Sequence, residues 1–289
     1  MISKRVLRKV IGARKDETIR DAFDRHTVKI KKLFYVKKFN ENDVEIAIKS
    51  LGIEEGDIVL VHCSWRNMFN FVGSPENLIR ILEKIVGSTG TILMPCYGNS
   101  REYLDVDNTP SAAGVLSEVF RNTIGVKRSQ CTHFSISGRG PDVDELLNDH
   151  FNSIYGFDSH SPLYKLGQKE HGKVLFIGLG ENPTKISLFH CAGFSLKDVD
   201  PKLAKLLSKE YKSELVVNGI SYSKSMIIRQ PGHQNNHKTF RVILNSLKSK
   251  THAKISNVDF VAFSAKEGLT QALFYAKKGI YCYKNMDSI

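Results

Sequence analysis

Four short clusters hold the side chains best suited to chemistry: His62-Cys63-Ser64, Met94-Pro95-Cys96, Arg128-Ser129-Gln130-Cys131-Thr132-His133 and His190-Cys191. Each stands at the end of a stretch that reads as a strand, and strand ends of one parallel sheet lie side by side, so the clusters can converge. Three chemistries suit these residue types. An imidazole can take a proton near neutral pH. A thiol can act as a nucleophile. Cysteine and histidine together can hold zinc. The chain has five cysteines and no C-x-x-C pair, so no spacing marks a metal site, and the cysteines read best as small packing residues. No Walker loop, G-x-G-x-x-G, H-E-x-x-H or G-x-S-x-G is present. His190 is the leading candidate for a proton acceptor. It follows an apolar run, Val174-Leu175-Phe176-Ile177, bounded by Gly172 and by Gly178 and Gly180. Such a run reads as a strand buried on both faces. Thr184 to His190 then reads as a helix with His190 about one and a half turns in.

The elements that must position these groups follow in order. Asn40 caps an amphipathic helix that Gly52 closes, Asp57 to His62 is a buried strand, and Pro75 to Val86 is a helix with Leu78, Ile79, Leu82 and Ile85 on one face. Gly90 to Pro95 is a second buried strand, and this strand–loop–helix–strand order argues a parallel sheet. Residues 98–112 read as an excursion, Val115 to Phe120 as a helix, and Gln130 to Gly138 as a short strand or tight loop. Glu214 to Gln230 alternates as a hairpin turning at Asn218-Gly219, 239–250 as a helix, Lys254 to Ser264 as a second hairpin and Lys266 to Lys278 as a last helix.

The net charge is +12 over 289 residues, but residues 1–40 hold 13 Lys/Arg against 4 Asp/Glu while the rest hold 29 against 26. The basic excess therefore belongs to an N-terminal arm, residues 1–38, ahead of one domain, 39–289. In the arm Ile2, Val6 and Val10 recur at helical spacing, which suits packing on the core or on a second copy in a homodimer, or lying on an anionic membrane surface. There is no aromatic interleaving of the kind nucleic-acid binding uses. The N-terminus has no apolar core of signal-peptide length and no segment is long and apolar enough to span a bilayer. With the cysteine usage this points to the cytoplasm, with the inner face of the membrane as a peripheral station.

The chain resembles the aminoglycoside 3-N-acetyltransferase family. The likeness runs from about residue 40 to 285 through Val61-His62-Cys63-Ser64, Val72-Gly73-Ser74-Pro75-Glu76, Gly90 to Pro95, Thr109-Pro110-Ser111, Gly114 to Glu118, Arg128-Ser129, Ser161-Pro162, Gly172 to Leu175 and Ser187-Leu188-Phe189-His190. The resemblance implies a three-layer α/β/α fold with a largely parallel central sheet. It implies acetyl-coenzyme A as donor, no metal, and direct transfer to the amine of a small-molecule acceptor with His190 as general base. It places the donor on the loop Ser64, Trp65, Arg66, Asn67, Val72 and Gly73, with Arg128 and Ser129 as a neighbouring wall. It adds Thr132, His133 and Ser135 to the catalytic group, a hydroxyl among them facing the thioester oxygen.

Three departures from the family pattern bear on the acceptor. Cys131-Thr132 stands where the family usually has His-Pro, Gly193 where it usually has an acidic residue three positions after the histidine, and Ile228 to His237 holds no carboxylate. A polycationic aminoglycoside needs acidic partners as its amines leave water. The expected acceptor is therefore an amino sugar with a single amine, neutral or anionic, such as one linked to a nucleotide or lipid in a surface-polysaccharide pathway. The alternatives are an aminoglycoside, as in antibiotic resistance, and a non-catalytic relative that binds coenzyme A or a sugar.

Overall fold

The computed structural model describes residues 4–12 and 19–286. Ten strands follow in chain order: β1 (Ile58–Cys63), β2 (Thr91–Pro95), β3 (Tyr103–Asp105), β4 (Lys127–Arg128), β5 (Ile136–Arg139), β6 (Gly172–Ile177), β7 (Lys209–Val217), β8 (Ile220–Ile228), β9 (Thr251–Ile255) and β10 (Val258–Ser264). Seven of them form one sheet in the order β4-β5-β2-β1-β6-β10-β9. Its centre is parallel, with β1 between β2 and β6. Both margins are antiparallel. A parallel pair needs a crossover of about a dozen residues or more. The helix Pro75–Val86 supplies one between β1 and β2, whereas the links 129–135 and 256–257 are too short, so β4–β5 and β9–β10 run as hairpins.

Alternate residues of the central strands enter two separate cores. Ile58, Leu60, Val174, Phe176, Val261 and Phe263 pack on one face with the helices Pro162–Leu166, His237–Ser246 and Ala265–Lys277. Val59, Val61, Leu175, Ile177, Phe260 and Ala262 pack on the other with Glu41–Ser50, Pro75–Val86 and Val115–Arg121. This is the α/β/α sandwich. The strand residues are buried on both sides, which is why they read as unbroken apolar runs.

The excursion at 98–112 lays β3 parallel to β7, in a second sheet of order β3-β7-β8. The β7–β8 hairpin turns at Asn218 (φ 49°) and Gly219 (φ 77°), the pair of positive φ values a two-residue turn demands. The arm contains helices Lys4–Val10 and Ile19–Phe34; Ile2 of its apolar stripe lies outside the described residues. The second helix docks where Lys32 Nζ sits 5.5 Å from the Phe69 ring and Asn70 Nδ2 donates to Tyr35 O (2.7 Å). Among the described residues no helix is long and apolar enough to cross a membrane.

One sequence expectation needs correction here. Thr184 to Ile186 is not helical. Ile186 is extended (φ −99°, ψ 94°) and fully buried, so the chain plugs the core with it before turning. A 3-10 turn, Ser187–Phe189, follows, and His190 is the first residue of the short α-helix His190–Ser195.

Candidate active site

Beyond the carboxyl ends of β2 and β6 lies a cavity of about 970 Å³. His190 is part of its wall, with His133, Tyr97, Tyr155, Arg229 and Tyr283. Gly178 (φ 71°) turns the chain out of β6 against the β1 loop, where Ser64 N donates to Ile177 O (2.9 Å) and Asn67 Nδ2 to Gly178 O (2.7 Å). A Cβ on Gly178 would stand 3.2 Å from Ser64 O, so the close approach and the positive φ both favour glycine.

The His190 ring is held by aromatic neighbours and by one hydroxyl. Phe157 lies 5.2 Å away between centroids, Phe240 5.5 Å and Tyr283 5.5 Å, the last nearly parallel at 25°. His190 Nδ1 is 3.1 Å from Tyr283 Oη, and Tyr283 Oη is 3.4 Å from Tyr155 Oη. Tyr283 arrives from the C-terminal segment. That segment is fixed by backbone bonds from Asn236 N to Cys282 O and from Lys284 N to Gln234 O, both 2.8 Å. Tyr155 arrives on a turn folded around the buried Asp158 carboxylate, which accepts from Ser153 Oγ, Ile154 N, Tyr155 N and His160 N.

Gly193 explains how a phenol comes to lie against His190. A Cβ there would meet Tyr283 Cε2 at 3.1 Å and Oη at 3.3 Å. The missing side chain three residues after His190 is the space the tyrosine fills. Burial, with the Arg229 charge added, lowers the His190 pKa to about 3, so its ring is neutral across the physiological range. Burial, with Arg101 and His190 nearby, likewise takes His133 to about 3.

The structure separates the residues singled out from sequence. His190 and His133 share the cavity. Thr132 Oγ1 is buried off its wall. Ser135 Oγ donates to Cys96 O (2.7 Å) and accepts from Arg128 Nε (3.2 Å), so its hydrogen is already engaged and it is not placed as an oxyanion donor. Arg128 is off the His190 cavity and acts as an internal latch: its guanidinium donates to Cys96 O, Thr109 O (2.6 Å) and Val106 O (3.2 Å), while the residue also lines a second cavity of about 460 Å³. Ser129 Oγ accepts from Ile136 N (2.8 Å) and meets the buried His150 Nδ1 at 2.7 Å. Ser64, Trp65, Arg66 and Asn67 form the turn at the end of β1. Val72 and Gly73 follow on the same loop, and none of the six lines the His190 cavity.

His62 is stacked on Phe176 at 4.9 Å, away from the cavity. Burial raises the thiols of Cys63 (about 12), Cys131 (about 11), Cys191 and Cys282 (about 12), which holds them protonated. No cysteine lines the cavity, and among the described residues no group of three His, Cys, Asp or Glu side chains is placed to hold a metal ion.

Comparison with known proteins bears on this arrangement. The family model "Aminoglycoside 3-N-acetyltransferase" matches residues 60–273. The chain belongs to the aminoglycoside 3-N-acetyltransferase family. It is 30% identical over 138 residues to aminoglycoside N(3)-acetyltransferase IV of Salmonella sp, covering 46% of this chain and 51% of that one. It is 29% identical over 174 residues to the SPbeta prophage-derived aminoglycoside N(3')-acetyltransferase-like protein YokD of Bacillus subtilis (strain 168), covering 52% and 62%. The chain thus spans about half to three-fifths of the length of these curated relatives. A solved structure described as "AAC-IIIb binary with CoASH" superposes with a TM-score of 0.71 at 19% identity over 85% of this chain and 98% of that one, a likeness of fold.

In this member of the aminoglycoside 3-N-acetyltransferase family the polar contact of His190 Nδ1 is the Tyr283 hydroxyl. Neither Tyr283 nor Tyr155 gave a signal in the sequence, because their meeting with His190 depends on chain segments 93 and 35 residues away. The one readable trace was Gly193, an absence whose meaning lies in the residue that fills it. Arg229 stood in the stretch already marked as lacking carboxylates, and its place beside Tyr283 emerges only in three dimensions.

Proposed function

We propose that this protein transfers the acetyl group of acetyl-coenzyme A to the amine of an amino sugar bound in the His190 cavity. The observation that carries this reading is the imidazole on the cavity wall with Nδ1 on Tyr283 Oη. If Nδ1–H donates to the phenol, the lone pair of Nε2 is left for the substrate. The acceptor amine then attacks the thioester carbonyl carbon, a carbon–nitrogen bond forms and the carbon–sulfur bond breaks. The proton passes from nitrogen to His190 Nε2 and on to the departing thiolate. Burial keeps the imidazole neutral and able to accept, and a nitrogen already bonded to the carbonyl carbon is more acidic than a free ammonium ion, which narrows the difference in proton affinity. A cavity containing Arg101, Lys185 and Arg229 also favours the uncharged, nucleophilic form of an entering amine. Tyr283 takes the orienting role that a carboxylate usually holds, and does so without adding a negative charge.

The loop from Ser64 to Gly73 is the proposed seat of the donor. It is packed directly on the end of β6, through Asn67 and Gly178. Asn257 Nδ2 braces it with a bond to Asn67 O (2.6 Å). The acceptor is assigned only as an aminated sugar. The names of the relatives favour an aminoglycoside over the nucleotide- or lipid-linked sugar of a polysaccharide pathway, and they give that pathway no support.

A thiol-release assay with acetyl-coenzyme A and a panel of amino sugars and aminoglycosides tests the reading. Release that depends on acceptor and on His190 is expected. Coenzyme A binding with no release for any acceptor would instead favour a non-catalytic relative.

A further inference from the structure

Among the described residues the cavity wall holds three cationic side chains, Arg101, Lys185 and Arg229, and not one Asp or Glu. None of the three pairs with a carboxylate of the described residues. Arg229 is held in place from two sides: its Nη1 donates to Asn235 Oδ1 (2.6 Å), and its guanidinium carbon lies 5.3 Å from the Tyr283 ring. Two further ring nitrogens of wall residues, His133 Nδ1 and His237 Nδ1, are buried without a hydrogen-bond partner, and the neutral His133 ring, bonded at the Ile227 backbone, offers an acceptor there. A buried polar atom with no partner costs free energy unless a ligand or water completes it.

We infer that the acceptor carries an oxyanion, a carboxylate or a phosphate, bound by the Arg101 and Arg229 guanidinium groups while its amine faces His190. Guanidinium groups pair two-fold with carboxylate and phosphate. A polycationic acceptor would find no counter-charge and three repulsive ones. The proposed anion also acts on the base. Arg229 is one of the two causes that hold His190's proton affinity down, and a bound oxyanion offsets that charge. The acceptor would then bring the negative charge that the chain itself lacks at position 193.

This inference rests on the acetyl-transfer reading for the direction of the amine, and a binding experiment separates the two. Glucosamine, glucosamine 6-phosphate and kanamycin are titrated into the full chain saturated with coenzyme A, and calorimetry reads their affinities. Glucosamine 6-phosphate is expected to bind about tenfold or more tighter than glucosamine, the scale of one charge-assisted hydrogen bond, and kanamycin weakest. Arg101→Ala, a change at an exposed position, is expected to abolish most of that preference and leave coenzyme A affinity within about twofold. Equal affinities, tightest binding of kanamycin, or no detectable binding of the phosphorylated probe would overturn the inference. So would an Arg101→Ala variant, with Arg229→Gln as its second test, that loses coenzyme A affinity and keeps the sugar preference, because the cations would then serve the donor's phosphates. A phosphate preference without thiol release would leave this inference standing and remove the transfer reading.

Discussion

At position 193 a hydrogen atom replaces a side chain whose Cβ would stand only 3.1 Å from the Tyr283 ring, and this lets a phenol sit against His190. The tyrosine's contact at Nδ1 holds the imidazole's rotation, so its loss is expected to act on turnover rather than on binding. Tyr283→Phe keeps the stacked ring and removes the hydroxyl; a fall in kcat of about tenfold with KM nearly unchanged is expected, the scale of losing an orienting partner and below that of losing the proton-transfer group itself. Gly193→Ala pushes the same ring from behind and is expected to lower kcat as well. The double variant is expected to be no worse than the more damaging single one, because both act through one contact. Full additivity in steady-state kinetics would show that the two residues do not work through each other. The strand and glycine turn that lead to His190 were legible in the sequence. The partner of His190 was not, because nothing local to Tyr283 distinguishes it from a core tyrosine.

At the scale of elements, the strands and most helices were legible. Buried central strands must be continuous apolar runs, and Pro75–Val86 has a capping box at Ser74 and Asn77 to mark its start. The helix before His190 was misplaced because local spacing cannot show that Ile186 is drawn inward as a core plug. Arg128 shows the same limit: the resemblance sets it in a wall beside the donor, and only the fold shows its donors turned on the carbonyls of Cys96, Val106 and Thr109. Arg128→Ala orphans those carbonyls around a vacated, largely buried space. It is expected to destabilise the protein by at least about 2 kcal/mol, read from denaturant midpoints. The KM for acetyl-coenzyme A in the folded fraction is expected to stay unchanged. Unchanged stability with a raised donor KM would return Arg128 to the role of a phosphate ligand.

For the molecule as a whole, four neutral histidines set the response to acid. Burial is the main cause that lowers His62 to about 4 and His133, His150 and His190 to about 3. In the unfolded chain each takes a proton near pH 6.5. Between that value and the folded ones the native state binds fewer protons than the unfolded, so stability is lost as pH falls below about 6.5. The ceiling is about 1.4 kcal/mol per pH unit for each histidine. Carboxylates such as Glu118 and Asp149, held near 2 by hydrogen bonds to Arg121 and Asn152, contribute only further down, below the ordinary carboxylate range. Urea midpoints are therefore expected to drop steeply between pH 7 and 5, and His62→Phe, which keeps the stack on Phe176, to shallow the drop. A midpoint flat over that range would contradict neutral burial.

The central claim is that the imidazole of His190 takes the acceptor's proton during acyl transfer. Thiol release from acetyl-coenzyme A, compared between the wild type and His190→Gln on one amino-sugar acceptor, tests it most directly. The expected result is a loss of about 10²- to 10⁴-fold in kcat with coenzyme A affinity retained. Release at the wild-type rate from the glutamine variant would contradict it.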